Sequence, residues 1–237
     1  KLIVFKEDEI NSIEDLEGMI SEFLERNDID RIDAISIVSV GIIDREKKKI
    51  VEAVHAPNLE LGGLEATFEC QIFLENDANA AAIGEKTFNY PEADNLVYLA
   101  IGSGIGAGVI IGGNELITES NGNIGEVGFS VIDFKSEDKK YDKKGIWELY
   151  GAGSHLLKKF EEHSGKEVSS PSEIFKLEEN GNREAESFLD KVAEANAAGF
   201  ANIINFYNPE IIFTGGSVIE NNPEFFKSIK HKIEDKL

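Results

Sequence analysis

Among 237 residues there is one cysteine, one methionine, one tryptophan, one glutamine and only five prolines. A lone thiol, Cys70, cannot close an internal disulfide, which points to a reducing, cytoplasmic compartment. With the four scattered histidines His55, His155, His163 and His231, it also cannot make a zinc site at ligand spacing. Few Met, Cys and Gln beside abundant Glu, Lys and Ile is a composition that avoids thermolabile side chains and suits a thermophilic source. No apolar run approaches the ~18 residues that a membrane span needs, and no basic-then-apolar leader opens the chain. Positive charge is scarce as well. Lys and Arg number 24 against 45 Asp and Glu, a net −21, and so acidic a surface repels nucleic-acid phosphates and anionic lipid.

What is present suits a folded α/β protein. Hydrophobic residues make up 41% and charged residues 29%, and 237 residues are enough for one large or two modest domains with a real core. The chain opens with the strand formers Leu2-Ile3-Val4-Phe5 and no preceding turn, as if from mid-element. From Ser12 to Arg26 apolar residues recur at helical spacing behind a Ser12 cap. Strands are expected at 35–40, 50–54 and 71–74, and an Ala-rich helix at 78–88. Pro91 to Asn95 breaks the pattern, so the domains are drawn at 1–92 and 93–237. A glycine-punctuated β-meander follows, then helices ending in a long one from about Arg183 to Tyr207, which Asn208-Pro209 stops. Strand 211–213 runs into Thr214-Gly215-Gly216-Ser217.

Several clusters carry candidate chemistry. Glu75-Asn76-Asp77-Ala78-Asn79 lies where a buried strand meets a helix, the place where α/β sheets bind ligands. Asp77 reads there as an ordinary N-cap, or as a base that accepts a hydroxyl proton in phosphoryl transfer. Gly102-Ser103-Gly104-Ile105-Gly106-Ala107-Gly108 strips one face of a strand pair, so that backbone N–H groups can approach an anion or simply pack tightly. It is neither a Walker loop nor a dinucleotide fingerprint. Gly215-Gly216 allows close backbone contact with a ring or phosphate, or a tight turn. Glu126 and Glu148 could accept hydrogen bonds from sugar hydroxyls, or be solvated glutamates.

Taken in order, Glu75 to Ala81, the glycine run, Asn121-Gly122-Asn123-Ile124-Gly125-Glu126-Val127-Gly128, Trp147-Glu148-Leu149-Tyr150-Gly151-Ala152-Gly153 and Phe213-Thr214-Gly215-Gly216 resemble the ROK family of sugar kinases and sugar-responsive repressors. The resemblance runs from about Ile35 to Ser217. It implies a two-lobed, actin-like (ribonuclease H-like) ATPase fold with sugar and nucleotide meeting between the lobes. It implies Asp77 as general base, and Asn76, Asp77, Glu126 and Glu148 as sugar ligands. Gly102, Ser103, Gly104 and Gly106 would line the phosphates, and Gly215 and Gly216 the nucleoside.

The chain departs from the family pattern in four ways. The Asp-x-Gly-Gly-Thr phosphate hairpin has no counterpart, and neither do the final strand and helix, so the sequence reads as truncated at both ends. Val40-Gly41-Ile42 replaces a Pro-Gly-Pro loop. Phe129 stands where a zinc-binding His follows Glu-x-Gly, and Asp133 to Gly145 holds no Cys-x-Cys, so no zinc is expected. The resemblance implies an ATP- and Mg²⁺-dependent hexose or N-acetylhexosamine kinase. The alternative is the sugar-sensing domain of a transcriptional repressor, with DNA contacted only through a separate helix-turn-helix. A homodimer and a small-molecule sugar partner are expected in either case.

Overall fold

The computed structural model describes residues 10, 12–52, 58–113, 115–117, 125–136 and 144–237. The strand expected at Leu2 to Phe5, His55, and the motif residues Asn121 to Ile124 lie outside the described residues, as do 137–143 of the charged loop. The described residues divide into two compact units, the first running up to Ala80 and the second taking 81–117 and 125–237.

The first unit opens with α1 (Ile13–Arg26), where the Ser12 hydroxyl accepts the Asp15 N–H at 3.1 Å and so satisfies one unpaired donor of the first turn. Then come β1 (Ala34–Ser39), β2 (Ile42–Asp44), β3 (Lys49–Glu52), β4 (Leu59–Glu60), α2 (Gly63–Phe68) and β5 (Gln71–Asn76). The last of these pairs in parallel with β1, from Ala34↔Gln71 to Ser39↔Asn76. Leu16 and Ile20 of α1, Leu64 of α2, and Ile72 and Leu74 of β5 share one buried cluster. The three short strands β2, β3 and β4 form an antiparallel sheet beside it. Helix α3 (Asp77–Phe88) follows β5 with no loop between them.

In the second unit, β6 (Leu96–Ile101) and β7 (Ile105–Ile111) form an antiparallel hairpin that closes at Gly102–Gly104, with β8 (Glu115–Leu116) on its far edge. After a 3₁₀ turn at Val127–Phe129 come α4 (Trp147–Gly151), α5 (Gly153–Ser164), α6 (Pro171–Glu179) and α7 (Arg183–Tyr207). The last three elements are β9 (Ile211–Gly215), α8 (Ser217–Glu220) and α9 (Pro223–Glu234). The expected meander holds for β6 to β8, but β9 joins the sheet parallel to β6, from Leu96↔Ile211 to Ala100↔Gly215. The sheet is therefore mixed, and its glycine turns after β6 and β9 fall at neighbouring carboxyl ends. Its core is built by α7, whose Phe188, Val192, Ala193 and Phe200 pack with Val97, Leu99 and Trp147. Asn182 caps α7 through Glu184 and Ala185 N–H groups, and Asn208 ends it in the left-handed conformation at φ 43°.

Candidate functional site

The first unit's polar cluster forms because the parallel register carries β5 on to Asn76 before the chain turns into α3. The Asn76 side-chain oxygen accepts the Ala78 N–H at 2.9 Å and the Asn79 N–H at 3.3 Å, and its amide donates to the Gly41 carbonyl at 3.2 Å. Asn76 is thus the cap of α3. Asp77 is the first helical residue, and its carboxylate accepts the adjacent Ala78 N–H at 2.9 Å. The cap reading of Asp77 is corrected accordingly: the helix begins one residue earlier than the Ala-rich run indicates. Asp77 is exposed by surface area, yet surrounding protein atoms desolvate its carboxyl and raise its pKa above the ordinary carboxylate range, partly offset by the Ala78 N–H and its own N–H.

Behind it lies a pair with no signature in the sequence. Arg45 grips Glu75 through Nε at 2.8 Å and through Nη2, a two-pronged contact on side chains 25% and 20% exposed. Glu75 Oε1 also accepts the Asn76 N–H at 2.8 Å and the amide of buried Asn79 at 3.1 Å. Burial pushes Glu75 up, but Arg45, Asn76 and Asn79 outweigh it and hold the carboxyl below its usual range. Two neighbouring carboxyls are thereby driven in opposite directions. Glu75 is held as an anion that ties Arg45, just after β2, to the start of α3, and Asp77 is made more basic.

The second unit gathers the glycine hairpin, the Glu126 loop and α4. Glu148 Oε2 accepts the Ile105 N–H at 2.9 Å, and a Cβ on Gly104 or Gly128 would approach that oxygen to 3.0 or 3.2 Å. Glycine is therefore what lets the carboxylate lie against the turn. The carbonyl of Gly125, whose φ is +88°, accepts the Ala107 N–H at 2.8 Å, and a Cβ on Gly125 would strike the Ala107 carbonyl at 2.2 Å. Glu126 follows, half-buried, with its carbonyl accepting the Phe129 N–H. The turn after β6 is held by α5, whose Gly153 and Ser154 N–H groups donate to the Gly102 and Ser103 carbonyls at 2.7 and 3.3 Å. Gly102 also lies against the turn after β9, since its Cβ would be 3.7 Å from Ser217 N and 3.8 Å from Gly216 Cα. Gly216 has φ +93° and its Cβ would meet the Ile101 carbonyl at 2.5 Å.

Gly102, Ser103, Gly104, Gly215 and Gly216 thus converge on two touching backbone turns, while Gly106 lies inside β7 opposite Ala100. At Gly215 and Gly216 the missing Cβ makes room for the Tyr98 hydroxyl and the Ile101 carbonyl, so these glycines let the turns pack closely. Sequence reasoning missed Arg45, and named Gly153 and Ser217 only inside motifs, without a role. Arg45 lies 30 residues from its partner, and Ser217 N lies against Gly102 as a main-chain atom, which carries no residue-type signal. Half-buried His155 has its pKa lowered by desolvation, opposed by the Glu148 charge. Among the described residues no group of three or more His, Cys, Asp or Glu could hold a metal ion, and no helix is long and apolar enough to cross a membrane.

A parallel pair feeding a helix through a polar turn, and a mixed sheet with glycine turns at its carboxyl ends, are the halves of an actin-like ATPase fold. The ROK hexokinase from Thermus thermophilus shares it with a TM-score of 0.84 at 25% identity, over 98% of this chain and 80% of that one. The chain belongs to the ROK family, whose model matches residues 7–237. It is 35% identical over 193 residues to a glucokinase of Pyrobaculum calidifontis, covering 80% of this chain and 64% of that protein. It is also 31% identical over 210 residues to the xylose repressor of Bacillus subtilis, covering 86% of this chain and 53% of the repressor. The chain thus spans about half to two thirds of the length of these curated relatives.

Proposed function

We propose that the protein is a sugar kinase that transfers the γ-phosphoryl group of ATP to a hydroxyl of a hexose or N-acetylhexosamine, with Asp77 as general base. The observation that carries this reading is the division of labour at the start of α3. Asn76 supplies the cap, so the Asp77 carboxylate is not needed for it, and desolvation raises its basicity in the direction that proton abstraction near neutral pH requires. Asn76, Asp77, Glu126 and Glu148 hold sugar hydroxyls in this reading. Asn76 has a second amide N–H to offer, and Glu148 keeps carboxylate lone pairs beyond the one engaged by Ile105. Gly102, Ser103, Gly104 and Gly106 take the phosphates and Gly215 and Gly216 the nucleoside. The ATP arrives with Mg²⁺, which would neutralise charge developing on the phosphoryl oxygens. Asp77 accepts the hydroxyl proton as the oxygen attacks in line, so positioning and electrostatics supply most of the rate.

The assay is phosphoryl transfer by the full-length protein against a hexose and N-acetylhexosamine panel, with calorimetry for sugar and for ATP. Turnover with one of these sugars is expected, and the sugar is expected to bind below millimolar. ATP binding without any sugar binding overturns the assignment. The match to a xylose repressor favours a second reading, a sugar-sensing domain without transfer activity. Sugar binding without turnover, together with sugar-dependent DNA binding by the full protein, selects that reading.

A further inference from the structure

Glu148 stands on a helix of five residues, too short to hold its direction by its own hydrogen bonds. Its neighbour Trp147 anchors it. The indole is fully buried, its Nε1–H donates to Asn196 Oδ1 on α7 at 2.8 Å, and its backbone N–H donates to the Ser130 carbonyl at 2.8 Å. The space for this bond is made by two glycines. A Cβ on Gly199 would lie 2.1 Å from the indole ring, and one on Gly151 would lie 2.3 Å from Asn196 Oδ1. Asn196 is itself completely buried, and its Nδ2 has no hydrogen-bond partner among the described residues. A buried, unpaired amide is unfavourable, and an apolar residue of like size would remove that cost. The same replacement would leave the buried indole N–H without its acceptor, so Asn196 ties the direction of Trp147, and with it the start of α4, to α7.

We propose that Asn196, acting through the Trp147 indole, is a positioning residue that sets the aim of Glu148 at the bound sugar. The inference rests on the sugar-binding role assigned to Glu148 above. Glu148 is joined to Trp147 by one peptide bond and ties its carboxylate to the Ile105 N–H, so a rotation of α4 moves that carboxylate directly. Misplacing a binding group by about 1 Å is enough to cost one to two orders of magnitude.

The test measures sugar affinity by calorimetry, melting temperature and the emission of Trp147, the only tryptophan in the sequence, in the full-length protein. The variants are Asn196→Leu, Asn196→Asp and Trp147→Phe, with Val192→Ala as a control that loosens the same helix core without touching the indole bond. Asn196→Leu and Trp147→Phe are each expected to weaken sugar binding by about tenfold or more, and the double variant is expected to add nothing further. Asn196→Asp, which burial without a cationic partner holds as the neutral acid, keeps a carbonyl acceptor and is expected to retain most of the affinity, and Trp147 emission in Asn196→Leu should shift to the blue as the indole loses its acceptor. If Asn196→Leu does not fold, Trp147→Phe carries the test. Unchanged affinity in Asn196→Leu or Trp147→Phe overturns the positioning role, as does an equal loss in Val192→Ala. If the unsubstituted protein binds none of the sugars, the sugar reading itself falls and the positioning role falls with it; binding by the unsubstituted protein with indifference to these variants refutes the positioning role alone.

Discussion

Replacing Asp77 with Asn separates a base from a structural residue because the two roles move different observables. The cap of α3 belongs to Asn76, through bonds of 2.9 and 3.3 Å that Asp77→Asn leaves untouched, and the substitution removes a desolvated charge. The sign follows from the raised pKa. A carboxyl whose folded pKa exceeds its unfolded value disfavours the folded state once pH rises past the unfolded value, so at neutral pH Asp77→Asn should leave the melting temperature unchanged or raise it. Asn76→Ala removes the cap and the Gly41 bond, and should cost about 0.5–2 kcal/mol. In a chain of this size, each kcal/mol corresponds to roughly 2–4 °C. Turnover should behave in the opposite way. Loss of a general base costs about 10²–10⁴ in rate, or roughly 2.7–5.4 kcal/mol of barrier, with sugar affinity reduced far less. The assay is a coupled phosphoryl-transfer measurement alongside scanning calorimetry on both variants. Unchanged turnover in Asp77→Asn, or a drop in melting temperature equal to that of Asn76→Ala, would refute the assignment.

The Arg45–Glu75 pair should be worth about 1–3 kcal/mol in Arg45→Ala, because the half-buried carboxylate then loses its two-pronged partner. Since the Glu75 pKa is depressed, its stabilisation is present above the ordinary value of 4.5 and fades as pH falls below it; the gap in melting temperature between the native chain and Glu75→Gln should narrow over that window, and a gap that stays constant down to pH 2 refutes it. Gly125→Ala should lower the melting temperature far more than Gly165→Ala. Both have positive φ, but only the former meets a carbonyl, at 2.2 Å, and equal losses would mean that backbone strain alone governs. A strong chelator should leave the melting temperature of the nucleotide-free protein unchanged, because Phe129 stands at the family's zinc-binding His position; a large drop by calorimetry overturns this.

Local signals in the sequence determined much of this protein. Periodicity and caps marked α1 from Ser12 and α7 from Arg183 to Tyr207, because helix hydrogen bonds join residues four apart and their chemistry is written within one turn. The glycine spacing around 102–108 announced a bare hairpin, and the order of five motifs identified the family. Short elements such as α2, only six residues long, showed no period to read.

Tertiary structure decided what depends on distant partners. Whether Asn76 or Asp77 caps α3 was settled by how far β5 runs in register with β1. Arg45 finds Glu75 30 residues away, and Trp147 finds Asn196 49 residues away. The parallel placement of β9 beside β6 pairs Leu96 with Ile211 and brings the two glycine turns together. Residue types constrain a chain over one turn or one strand. The pairing of elements far apart in sequence is instead chosen by which arrangement buries the most apolar surface while satisfying the backbone, and only the folded chain displays that choice.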